Sequence, residues 1–258
     1  MRIFIVTREE PFYVPVYLSK LLREKHGNVI GAAIASNPSP HLSVWQLYQL
    51  AGLKGFIIQG LEFILFKLCN MLSIFIPFRR FYSTSRMMKH YGIPVYKTAR
   101  GEINSKGFVD MIRKLEPDLI LSVANSQILK QRILEVPKLG AINVHGSLLP
   151  EYRGILTAFW VLVNNEKETG VTVHYMESEV DSGAIIGQQR IAISETDSIH
   201  SLYRRIATIG ASLMLKAVTS IESGKVVPKP NDEAKATYFF KPEKRDIQRF
   251  RKLGHSFR

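Results

Sequence analysis

The sequence predicts an α/β fold: a Rossmann-like, doubly wound, mostly parallel sheet carrying one hydrophobic helical insertion. Three observations point there. The chain opens as an apolar run, an amphipathic stretch and a second apolar run, the β-α-β signature of a parallel sheet. Later strand candidates, "DLILSV" (118–123) and "AINVH" (141–145), are near-continuous apolar runs, as strands buried on both faces are. Before them lies a helical stripe of Phe108, Ile112 and Leu115 in "SKGFVDMIRKL" (105–115).

In chain order, "RIFIVT" (2–7) reads as the first strand. "YVPVYLSKLLREKHG" places Val16, Leu18, Leu21 and Leu22 on a helix that starts near Pro15 and stops at Gly27. "VIGAAIA" (29–35) is the second strand. The regular pattern resumes near residue 93 with the short strand "IPVYKT", followed by the 105–115 helix and the strands at 118–123 and 141–145. "TGVTVHYM" (169–176) alternates, and "AIIGQQRIAI" (184–193) follows a tight loop. Residues 198–224 form a long amphipathic helix ending at Gly224.

At 258 residues, 46% hydrophobic and 22% charged, the chain suits one globular α/β domain. The expected plan is a domain over 1–240, interrupted by an insertion at about 41–84, and a basic tail over 241–258 read as a solvated charged end. The single cysteine, Cys69, excludes an internal disulfide framework and a cysteine metal site. A net charge of +13 suggests an anionic partner: nucleic acid, a membrane surface or a phosphorylated substrate. "MRIFIVT" does not resemble a signal peptide, because it runs directly into polar residues.

Residues 51–82 stand apart. From Phe56 to Phe78 they are mostly apolar, broken by Gln59, Glu62, Lys67 and Asn70, and Arg79 and Arg80 follow. The run is long enough to cross a bilayer, which takes about 20 residues. A single crossing would divide one sheet between the two sides of a membrane. Interfacial insertion, a re-entrant hairpin, a buried helix pair and a dimer interface all remain open readings.

The chemistry concentrates in "AINVHGSLLPEYRG" (141–154). Residues two apart on a strand share a face, so Asn143 and His145 project together where the strand runs out. Ligands of open parallel sheets bind outside the strands' carboxyl ends. "MESEVDSGAII" then puts Asp181 in a glycine-containing loop between two strands. His174, in a strand pattern, reads as a packed or peripheral histidine.

These segments resemble the folate-dependent formyltransferases. Asn-x-His-x-Ser-Leu-Leu-Pro, then Thr-Gly-Val-Thr, then Asp-Ser-Gly form a long, specific pattern. The resemblance is strong over about 117–222, weaker over 1–35, and fails over about 41–84. It implies the formyltransferase fold, with N10-formyltetrahydrofolate as co-substrate, an amine as acceptor and no metal. It implies catalytic roles for Asn143, His145 and Asp181. The loop "SVANSQILK" (122–130) would take the pterin at Ser126, Gln127, Ile128 and Leu129, with Glu179 and Val180 at the pocket's other edge.

The family divides by acceptor. Glycinamide ribonucleotide transformylases carry a glycine-rich phosphate loop after the first strand, whereas this chain reads "TREEPFYVP". Methionyl-tRNA formyltransferases append a basic β-barrel, whereas 18 residues follow Phe240 here. "SLLPEYRG" is most similar to the sugar N-formyltransferases, which implies a nucleotide-linked or lipid-linked amino sugar of surface polysaccharide assembly. Arg8, Pro150, Tyr152 and Arg153 are the candidate substrate contacts. The expected partners are that phosphate-bearing substrate, a membrane surface through 51–82 and a second copy of the chain, with no nucleic acid. The expected location is cytoplasmic, at the inner face of the membrane. A formyltransferase for another amine, a formyltetrahydrofolate hydrolase and a non-catalytic membrane-associated scaffold are the alternatives.

Overall fold

The structure, a computed structural model, describes residues 1–35, 42–72, 81–99 and 102–258. Strand β1 (Ile3–Arg8) shows the architecture in miniature. Ile3 and Ile5 enter one apolar core and Phe4 and Val6 the other. Alternation with both faces dry requires a helical layer on each side.

The remaining elements follow in order: α1 (Val14–Lys25), β2 (Val29–Ala35), α2 (Val44–Leu72), α3 (Thr84–His90), β3 (Val95–Thr98), α4 (Lys106–Lys114), β4 (Leu119–Val123), α5 (Gln131–Leu134), β5 (Ala141–His145), β6 (Arg153–Gly154), α6 (Thr157–Val163), β7 (Glu168–Tyr175), β8 (Ile185–Ala192), α7 (Ile199–Glu222), β9 (Tyr238–Phe239) and α8 (Lys244–Lys252). Among the described residues, seven strands form one sheet in the order β3-β2-β1-β4-β5-β7-β8, and β6 pairs with β9 apart from it. β1 to β5 run parallel, while β7 and β8 are antiparallel additions. The predicted fold class is therefore observed.

The helices start where the chemistry of capping dictates. Glu10 accepts from the N–H groups of Phe12 and Tyr13 at 2.7 Å and Val14 at 3.0 Å, closing the start of α1. Ser198 and Ser201 form a reciprocal capping box on α7.

The insertion departs from one expectation. Gly52, at φ 66°, breaks α2, and residues 53–72 continue as a helix about 30 Å long at 1.5 Å per residue. Its inner stripe packs on the domain. Phe66 lies 5.0 Å from the ring of Phe12, and Arg258 pairs with Glu62 and donates to Gln59 at 3.1 Å. Leu53, Ile57, Leu61, Ile64, Leu65 and Leu68 face outward, 46–64% exposed. A buried helix pair is thus ruled out for the described part: its most apolar 18-residue window holds no buried residue. Arg79, Arg80 and the end of the apolar run lie outside the described residues.

The tail also differs from its prediction. α8 is amphipathic, with Ile247 and Phe250 buried in the main core beside α6. Beyond it, the carbonyls of Ser256 and Phe257 accept from the first N–H groups of α7, at Ile199 (3.1 Å) and His200 (3.0 Å). The charge run concealed two apolar residues at helical spacing, and they dock the segment. Phe250 stacks 5.3 Å from Phe159. Phe250→Ala is expected to destabilise the chain by about 3–5 kcal/mol, read as a lowered urea midpoint; a change within error would show that α8 is dispensable to the core.

Candidate active site

The chain builds outward from β1 to β2 and β3, then returns to the other side of β1 with β4. That reversal leaves a crevice at the carboxyl ends of β1, β4 and β5, the usual ligand position in open α/β sheets. A cleft of about 660 Å³ lies there, lined by Arg8, Ser122, Asn143, His145 and the loops around them. Its volume is that of a small-molecule site, about 300–1,000 Å³.

β5 delivers Asn143 and His145 to the cleft floor, and antiparallel β7 sets His174 directly opposite Asn143. Asn143 Nδ2 lies 3.3 Å from His174 Nε2. Asp181 completes the group: Oδ2 is 3.4 Å from His145 Nδ1 and Oδ1 is 3.6 Å from His174 Nε2. The three predicted catalytic side chains therefore converge.

Backbone carbonyls fix which imidazole nitrogens carry protons, because a carbonyl only accepts. His145 Nε2 donates to the carbonyl of Tyr152 at 2.8 Å, leaving Nδ1 toward Asp181 as the nitrogen free to exchange a proton. His174 Nδ1 donates to the carbonyl of Tyr175 at 2.7 Å, and its Nε2 faces both the Asn143 amide and the Asp181 carboxylate. The Asn143 amide thus stands between His174 and the cleft that it lines.

Asp181 is held by two segments distant in sequence. Gly154 N donates to its Oδ2 at 2.9 Å, and Asn231 donates to its carbonyl at 2.8 Å. The Asp-Ser-Gly sequence has a steric reason: a Cβ on Gly183 would stand 2.1 Å from the carbonyl oxygen of Tyr175. Burial alone would push the Asp181 carboxyl up. His145, then His174, then the Gly154 N–H overcome it and hold the group well below the usual carboxylate range.

The predicted pterin loop lines the same cleft. Ser126, Gln127, Ile128 and Leu129 form one edge, and Glu179 and Val180 the other. Leu129 is buried below while Ile128 is 65% exposed above. Asn104 pins the loop by donating to the Ile128 carbonyl and accepting from Lys130 N, both at 2.8 Å. This offers a flat heteroaromatic group apolar surfaces and main-chain polar groups, so the residues fit a folate.

Of the candidate substrate contacts, Arg8 lines the cleft and the others do not. Arg153 is wholly buried, paired with Glu233 and bonded to Tyr238 and Asn231. It supports the residue that tethers Asp181 instead of reaching a phosphate. The Tyr152 hydroxyl turns to Glu166, and its contribution is the carbonyl that orients His145. Pro150 lines a separate depression on the β8 side. The functional residue that sequence reading missed is His174: packed it is, peripheral it is not. Only the β5–β7 register reveals it, and register is not written in either strand alone.

The opposite wall is apolar and also unforeseen. Phe12, Tyr13, Leu42, Leu47, Leu50 and Phe257 line it. Burial first, then the charge of Glu10, push the Tyr13 phenol up, so it stays a neutral hydroxyl. Burial pushes Tyr203 beside it up to about 12.

Comparisons with known proteins agree with this geometry. The family model described as formyl transferase matches residues 78–218. The chain is 37% identical over 161 residues to a methionyl-tRNA formyltransferase of Kosmotoga olearia, covering 62% of this chain and 51% of that one. It thus spans about half the length of that curated relative. An N-formyltransferase from Helicobacter canadensis, solved with folinic acid and dTDP-3-aminofucose, superposes with TM-score 0.63 at 18% identity, covering 98% of this chain and 80% of that one. A phosphoribosylglycinamide formyltransferase from Anaplasma phagocytophilum gives TM-score 0.62 at 19% identity, with 94% and 99% covered. At such identities the structures establish the fold.

The depressed Asp181 pKa carries a stability consequence. The folded carboxyl ionises at lower pH than the unfolded one, so its stabilisation is complete above about pH 4 and is lost as pH falls through the folded value. Asp181→Asn should lower unfolding free energy by about 2 kcal/mol near neutral pH, and the gap to wild type should narrow in acid. A gap in urea titrations that is constant with pH would contradict the charge-based account.

Proposed function

The chain belongs to the formyl transferase family, and from that premise we propose that it moves a formyl group from N10-formyltetrahydrofolate to the primary amine of an amino sugar, nucleotide-linked or lipid-linked. The observation that carries formyl transfer is the meeting of Asn143, His145 and Asp181 at one end of the cleft.

The amine nitrogen attacks the formyl carbon and its oxygen becomes an oxyanion. The Asn143 amide, which lines the cleft, can donate a hydrogen to that oxygen. The amine must shed a proton and the departing folate nitrogen must gain one. His145 Nδ1 can do both, because Nε2 is committed to the Tyr152 carbonyl. Asp181, ionised and 3.4 Å away, compensates the charge the ring gains.

For the acceptor, "SLLPEYRG" supports an amino sugar. The start of α1 supports it by exclusion: its free N–H groups, where a small phosphate would sit, are taken by Glu10. This reading makes the protein a cytoplasmic enzyme that feeds surface polysaccharide assembly. A second reading has a specific basis: the 37% identical relative is named a methionyl-tRNA formyltransferase, and a net charge of +13 suits a nucleic acid.

A mass-spectrometric screen of amino sugars and of methionyl-tRNA with formyltetrahydrofolate separates these. The expected product is a formylated amino sugar. His145→Ala should abolish the gain, and Asn143→Ala should cut kcat by about 10²–10³ with folding intact. Formate released without an amine would identify a hydrolase, and a fully active His145→Ala protein would remove the proton shuttle.

A further inference from the structure

The outward face of α2 has no task in formyl transfer. A surface helix of a soluble domain turns its apolar stripe inward. Here Gln59 and Glu62 face the domain, where Arg258 engages both, and Leu53, Ile57, Leu61, Ile64, Leu65 and Leu68 face out. Loss of apolar contact on that side needs an apolar partner.

Charge beside the face identifies the partner. α8 packs along the start of α2, with Arg251 3.8 Å from the position a Gly52 Cβ would take. Its Lys244, Arg245, Arg249, Arg251 and Lys252 are exposed, against one acidic residue, Asp246, in the same helix. Lys54 and Lys67 add two exposed cations on α2 itself. Apolar surface bordered by cations matches an anionic bilayer: acyl chains beneath, phosphates around. A symmetric pair of copies would instead set these like charges against each other.

The helix also forms part of the cleft. Leu47, Leu50 and Gln59 line the wall opposite the folate loop, and Phe12 in that wall touches Phe66. The acceptor side thus opens along α2 through apolar side chains. β2 precedes α2 and β3 follows it as neighbours in one sheet, so a single crossing of a membrane by this helix is excluded.

We propose that α2 and α8 together dock the protein on an anionic membrane surface, and that the cleft takes its amine from a lipid-borne acceptor at that surface. The acceptor half of this statement rests on the formyl transfer reading; the docking half does not.

Flotation of the full chain with vesicles of phosphatidylcholine and phosphatidylglycerol tests docking without any turnover. Wild type should float with them. The combined Leu61→Glu, Leu65→Glu and Leu68→Glu variant should partition about tenfold less. Arg249→Glu with Lys252→Glu should weaken binding to these vesicles and leave binding to pure phosphatidylcholine unchanged. Circular dichroism and formylation of a nucleotide-linked amino sugar should be unaltered in all of them. Wild type that stays at the bottom of the gradient overturns docking, as does a dimer in light scattering that the three glutamates make monomeric without any flotation. The second arm presents one amino sugar on a nucleotide in solution and on a prenyl diphosphate in vesicles. Formylation of the vesicle acceptor should fall about tenfold in the three-glutamate variant. Protein that floats and formylates only the nucleotide form overturns the lipid-borne acceptor; protein that floats and formylates no amine overturns the functional reading and leaves docking standing.

Discussion

A buried carboxylate between two imidazoles organises this protein. Asp181 sits inside the cleft, and its charge is tolerable only because His145, His174 and the Gly154 N–H face it at once. Each partner arrives from a different element, so the constraint reaches across the fold. β5 supplies one histidine, β7 the other, and the β6 segment the amide. β6 in turn depends on β9, whose carbonyl at Phe239 stands 2.1 Å from where a Cβ on Gly154 would lie. Arg153, wholly buried, ties the same segment to Glu233 and Asn231, and Asn231 holds the Asp181 backbone. A change in any of these elements moves the carboxylate relative to the rings.

The parallel core was legible in the sequence because its central strands are dry on both faces, and that condition leaves a local mark: Ile3, Phe4, Ile5 and Val6 in unbroken succession. Asn143, His145 and Asp181 were legible because three separated motifs agreed on one chemistry. What escaped was whatever depends on two distant segments meeting. His174 looked like strand packing because its neighbour Asn143 lies across an antiparallel pair. Tyr152 and Arg153 were rightly noticed but given the wrong parts: one works through its carbonyl and the other through a buried network. α8 was hidden by composition, since two apolar residues among five cations do not read as a core helix until Phe159 is placed beside them.

The two ends of the cleft differ in kind. The proposed folate side is polar main chain over an apolar floor, pinned by Asn104. The proposed acceptor side is bounded by Phe12, Leu47, Leu50 and Phe257, and the helix start behind it is closed by Glu10. A carboxylate that accepts from three consecutive amides leaves them nothing to offer a phosphate. Replacing a glycine-rich turn by "REEPFY" therefore removes an anion site and adds an aromatic wall in one stroke. On the proposed reading the acceptor would be selected at that wall more than at Asn143, His145 and Asp181, which any amine could use.

That wall and the outward face of α2 are two sides of one helix, and the last residues of the chain join them. Phe257 lines the cleft, while Arg258 reaches Gln59 and Glu62 on the inner stripe. The carbonyls of Ser256 and Phe257 simultaneously cap α7, whose length runs along the main core. Gln59 and Glu62 of α2 are thus used up holding the helix to the domain. Had the apolar side faced inward, Glu62 and Gln59 would be in water and the cleft wall would have no link to the surface. The reversed orientation makes the boundary of the active site and the boundary of the molecule the same element, so whatever covers the outer face bears directly on what can enter from the acceptor side.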